Sequence, residues 1–137
     1  MKALKNLFFN ELADMYDTER RITKALPKLI KAATSKDLRR ALQVHLTEAK
    51  GHVKRIESVF EAFGEKPRAK EGPAIVGILE EGDQIVGENK KSPSINAAII
   101  LAVRKIEYYE IASYGTLRTW AGILDNEVGF QAPAGNP

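Results

Sequence analysis

Apolar residues recur along this chain every three or four positions, with no strand-like alternation of useful length. The first run spans about Lys5 to Ala33, with Leu12, Met15, Tyr16, Ile22, Leu26, Leu29 and Ile30 at helical spacing. Pro27 lies inside it. It removes a backbone donor and crowds residue 23, so a kink is predicted there rather than a stop. Thr34-Ser35 offers a cap for a second helix from about Lys36 to Phe63. That helix carries Leu38, Leu42, Leu46, Val53, Ile56, Val59 and Phe60 on one face, and Gly64 is suited to end it. Residues 64–74, GEKPRAKEGPA, read as a linker. Residues 75–86 form a shorter apolar segment whose glycines lower its helix propensity, which predicts a short crossover helix. Ser92 followed by Pro93 then looks like an N-cap with proline at the first helical position. The last long helix is expected over about Pro93 to Leu124, with Ile99, Ile100, Val103, Ile106, Ile111, Tyr114 and Leu117 on its apolar face. The pattern predicts an all-α helical bundle of three long helices and one short one. It places one domain over residues 1–124 and an irregular tail over 125–137.

Composition narrows the chemistry. With 137 residues, 44% hydrophobic and 28% charged, the chain can bury a substantial core. It has no cysteine, which excludes disulfides, thiolate metal sites and a cysteine nucleophile. That absence fits a reducing compartment, and a cytoplasmic location is expected. The first twenty residues interrupt their apolar positions with Lys5, Asn6, Asn10, Glu11 and Asp14, so they are not expected to act as a signal peptide. No stretch approaches the ~18 consecutive apolar residues of a spanning helix. The net charge of +3 is modest. Basic residues cluster between Arg20 and Arg40, but no aromatic side chains interleave them for base stacking. A solvated helix face explains the run, and neither a nucleic-acid nor a membrane partner is expected.

The informative residues are charges on the wrong face. The stripe of the first helix runs through Leu12 and Met15, then Glu19, then Ile22 and Leu26. In the second, Leu42, His45, Ala49, His52 and Ile56 make the seam, and Glu48 borders it. In the last, Glu107 and Glu110 share a face with Ile100, Val103, Ile111 and Tyr114. Each long helix thus brings a carboxylate to its apolar stripe near mid-length. A carboxylate in a core must be protonated, paired or bound to a cation. Oxygen ligands with one or two imidazoles suit iron or manganese better than calcium. Each residue alone also has an ordinary explanation. A glutamate on a seam can reach solvent along its own stem, and Glu48 with His52 can be a surface pair. His45 can be a ligand, a partner to a ligand or a core histidine with its hydrogen bonds satisfied, and the last is the leading reading. Tyr16, Tyr108, Tyr109 and Tyr114 read first as amphipathic aromatics, with a hydrogen bond to a ligand or electron donation as the alternative.

The segments ELADMYDTERRITKALPKLIKAA, HLTEAKGHVKRIESVFEAFG, ILEEGDQIV and KIEYYEIASYGTLRTWA together resemble the YciE/YciF-type ferritin-like proteins, a bacterial stress-associated family. The resemblance covers about residues 6–124. It implies a ferritin-like bundle with a di-iron or di-manganese carboxylate centre. Carried over, Glu19 matches the single carboxylate of the first helix, and Glu48 with His52 the Glu–His helix. Glu107 and Glu110 match the paired carboxylates of the third bundle helix. The resemblance implies a further acidic helix past RTWAGIL, and the segment NEVGFQAPAGNP is not expected to supply it. That leaves an apolar groove along the long helices, and a homodimer or higher homo-oligomer is expected to cover it. The alternative is a non-catalytic structural or interaction protein whose metal site has degenerated.

Overall fold

The computed structural model describes the backbone of residues 2–128 and the side chains through Asp125. Four helices make up the described chain: α1 (Lys2–Ala32), α2 (Lys36–Ala62), α3 (Pro73–Glu88) and α4 (Ile95–Val128). No strand occurs among these residues. The all-α expectation holds, and α1 continues through Pro27 without ending. α3 is longer than its glycines suggested. α4 runs past Leu124 to Val128, four residues into the segment expected to be irregular, and residues 129–137 of that segment lie outside the described residues.

The helix ends follow from local chemistry. Ser35 caps α2, its Oγ accepting the Leu38 N–H at 3.2 Å. Gly64 closes α2 with φ +75°, a conformation that glycine adopts without a Cβ clash. There the Glu65 N–H donates to Phe60 O and the Gly64 N–H to Glu61 O, both at 2.9 Å, which is the Schellman arrangement. The expected Ser92 cap with Pro93 at the first helical position is not formed: α4 begins two residues later, at Ile95, and Ser92 Oγ instead accepts the Ser94 N–H at 3.0 Å within the preceding turn.

α1 lies along α2 and also against α4, while α3 packs on α4. The turn between α1 and α2 is held to α4 by Asn96. Its Oδ1 accepts the N–H groups of Thr34 and Ser35, and its Nδ2 donates to Thr34 Oγ1 at 2.8 Å. Gly82 is buried in α3, where an added Cβ would lie 3.2 Å from the Ala102 Cβ, so glycine permits a close helix crossing. Lys105 and Glu81 pair across the same interface.

The core forms two apolar clusters stacked along the bundle. One is built around Ile22, Leu26, Leu42, Ile75, Ile99 and Ile106. The other is built around Phe8, Phe9, Met15, Ile56, Phe60 and Leu117. Between Met15 and Ile22, between Ala49 and Ile56, and between Ile106 and Leu117, the chain places a polar layer. That layer holds Glu19, His52 and Glu110.

Candidate metal centre

Glu19 sits one turn before Ile22 on the stripe that α1 turns inward, and packing leaves it 0% exposed. His52, 7% exposed, faces it from α2, and Glu110, 4% exposed, faces it from α4. Each of the three offers one ligand atom, and these atoms all lie within 4.8 Å of one another. His52 Nδ1 is 3.2 Å from Glu19 Oε2 and 3.8 Å from Glu110 Oε2. Tyr114, one turn after Glu110, donates its hydroxyl to Glu19 Oε2 at 2.5 Å, and its ring centroid lies 5.4 Å from that of His52. His45, two turns before His52 on α2, has Nε2 3.2 Å from Glu110 Oε1.

Three buried atoms in this layer lack a hydrogen-bond partner: Glu19 Oε1, Glu110 Oε2 and His45 Nδ1. Leaving a buried carboxylate oxygen unmatched is costly, since it forfeits hydration without replacement. The electrostatics record that cost. Burial pushes the Glu110 carboxyl up to about 7, and the neighbouring Glu19 adds to the rise while His45 opposes it. The His52 imidazole is raised because it hydrogen-bonds Glu19, and the His45 imidazole because it hydrogen-bonds Glu110; burial opposes both. The Tyr114 hydroxyl is pushed upward first by burial and then by the Glu19 charge. Two acids and two imidazoles thus share one layer between the apolar clusters.

Glu19, His52 and Glu110 are therefore brought together, whereas Glu48 and Glu107 are exposed. These two glutamates line the same opening, a pocket of about 270 Å³ between α2 and α4 that reaches His45, His52 and Glu110. The offset has a simple origin in α4, which is apolar around much of its circumference. Its buried stripe runs through Ile99, Ala102, Ile106, Glu110 and Leu117, one step around from the stripe containing Ile100 and Ile111. Ile100 and Ile111 are 45% and 47% exposed, and Glu107 goes outward with them. His45 is half-buried and bonded through one nitrogen only, so its expected full satisfaction is not met. Tyr114 fits the alternative of a tyrosine that hydrogen-bonds a site carboxylate, rather than the leading reading of an amphipathic aromatic. Its spacing of four from Glu110 and seven from Glu107 is the signal that puts it beside the cluster.

Comparison with known proteins gives a consistent picture. Residues 3–130 match the family described as Domain of unknown function (DUF892). YciF of Escherichia coli strain K12 is 38% identical over 135 residues, spanning 98% of this chain and 79% of YciF. Among solved structures, YcfI of Rhodopseudomonas palustris, described as a candidate structural protein, is 41% identical with a TM-score of 0.84. That alignment covers 88% of this chain and 77% of the other. The crystal structure of the E. coli stress protein YciF aligns with a TM-score of 0.82 at 38% identity, over 90% of this chain and 79% of that one.

Proposed function

This chain belongs to the DUF892 family, and from that premise we propose that it is a ferritin-like, stress-associated protein that binds iron or manganese in the cytoplasm. One observation carries the reading: Glu19, His52 and Glu110 converge in a buried layer with two carboxylate oxygens left unpartnered. A cation would supply what those oxygens lack, and it would remove the repulsion between the two carboxylates. The donor set of oxygen and imidazole suits iron or manganese. Either metal, once bound, supplies a redox-active Lewis acid. The chain's own residues provide the rest. Glu19, His52 and Glu110 would hold the ion, the two apolar clusters close the layer along the bundle on either side, and Glu48 and Glu107 stand at the mouth of the pocket that reaches it as the outer carboxylates of the set. Their exposed charges draw cations toward the α2–α4 opening. Val44, Ile100 and Ile111 are exposed beside that opening. A second copy of the chain covering them gives the homo-oligomer.

The reading is tested by melting the metal-free protein with and without Mn²⁺. A specific ion at 100 times its Kd adds about 2.7 kcal/mol, and the gain should vanish in Glu19→Gln. A second reading, a non-catalytic scaffold, draws on the mutual pairing of His52 with Glu19 and His45 with Glu110. It expects a melting point indifferent to either metal.

A further inference from the structure

The two buried carboxylates are engaged alike, except that the bonded oxygen of Glu19 also meets His52 Nδ1 at 3.2 Å. Each has one oxygen held by a side chain outside the three-residue cluster and the other oxygen open. Tyr114, from α4, donates to Glu19 Oε2 on α1 at 2.5 Å. His45, from α2, holds Glu110 Oε1 on α4 at 3.2 Å. The oxygens left over, Glu19 Oε1 and Glu110 Oε2, are the buried ones without a hydrogen-bond partner. Both clamps cross a helix interface, so each resists rotation of a carboxylate that belongs to a different helix. The Tyr114 ring is itself steadied against His52 and against the aromatic cluster below it.

A carboxylate that chelates one ion, or bridges two with one oxygen on each, must present both oxygens. Here the second oxygen is committed to a phenol in one case and an imidazole in the other. Beyond the unpartnered His45 Nδ1, additional ligands for a second ion would have to come from Glu48 and Glu107, which are exposed. We propose that Tyr114 and His45 are positioning residues that leave each buried carboxylate one oxygen for a cation, so that the cluster holds a single ion per chain. The inference rests on the metal-binding reading and specifies its stoichiometry and its outer support. Hydrogen bonds of this kind to metal-ligating groups are worth roughly 10–100-fold in affinity.

The experiment is a calorimetric titration of the metal-free full chain with Mn²⁺, repeated for Tyr114→Phe and for His45→Gln, with Co²⁺ absorption spectra of all three. The expected result is one Mn²⁺ per wild-type chain, binding about 10–100-fold weaker in each variant, and a shifted Co²⁺ spectrum in both. A merely structural role would lower the melting point and leave the Co²⁺ spectrum of the folded fraction unchanged. If Tyr114→Phe does not fold, His45→Gln reports on the other carboxylate. Two Mn²⁺ per wild-type chain would overturn the inference, as would unchanged affinity and spectrum in the variants, while the metal reading stood. No Mn²⁺ uptake by the wild type would overturn both.

Discussion

Replacing Glu110 by glutamine keeps the shape of the side chain and removes its charge. In the metal-free protein the Glu110 carboxyl titrates at about 7 instead of 4.5, chiefly because burial disfavours its ionised form. The native state therefore holds a proton that the unfolded state has already lost. Stability falls as pH rises from the unfolded value through the folded one, and the penalty is complete about a unit above the latter. Its size is about 3 kcal/mol at pH 8 and under about 1 kcal/mol at pH 5. Glu110→Gln should accordingly stabilise the metal-free chain at pH 8 by most of that amount. For a domain of this size the melting point should rise by roughly 10 °C at pH 8 and far less at pH 5. Differential scanning calorimetry in chelator at both pH values makes the comparison. Added Mn²⁺ should reverse the order at pH 8, raising the wild type and leaving Glu110→Gln where it was. The reasoning is refuted if the variant melts below the wild type by the same margin at both pH values, because Glu110 would then be a satisfied structural acid.

The remaining predictions concern protons and glycines. Mn²⁺ affinity should rise as pH increases through 7 and then level off, because the ligands Glu110 and His52 keep their protons to higher pH than in the unfolded chain and a metal must displace them; titrations at pH 6, 7 and 8 would show the trend. Gly72→Ala should destabilise by about 1–3 kcal/mol. Its Cβ would fall 2.6 Å from an Asp14 carboxylate oxygen, in a side chain also tied to Thr18. Gly77→Ala and Gly87→Ala, where an added Cβ meets nothing within 4 Å, should each stabilise α3 by about 0.5–1 kcal/mol. Urea midpoints of the three variants decide both claims. Ser35→Ala should cost about 1 kcal/mol by the same measurement, since it removes the α2 cap.

The helices were legible because their ends are written in short-range chemistry. Ser35 and Gly64 act within three residues of themselves and the structure uses both, whereas Ser92 shapes only the turn before α4, which begins at Ile95. Glu19, His52 and Glu110 were legible because a glutamate or histidine inside an apolar stripe must go wherever the stripe goes. Glu107 and Glu48 were harder. α4 has apolar residues on more than one stripe, and only the packing of α1 and α3 decides which is covered. The length of α3 was misjudged for a related reason. Glycine lowers propensity locally, yet Gly82 repays it by letting α3 approach Ala102 closely. The roles of Tyr114 and His45 depend on which oxygen of a carboxylate they reach, 95 and 65 residues away in the chain. No periodicity encodes that.

Anomalous diffraction from Mn²⁺-soaked crystals of the full chain tests the central claim most directly. The account expects a strong peak inside the polar layer, within bonding distance of Glu19, His52 and Glu110 together. A layer with no peak, its two glutamates still bound only to Tyr114 and the histidines, would contradict it.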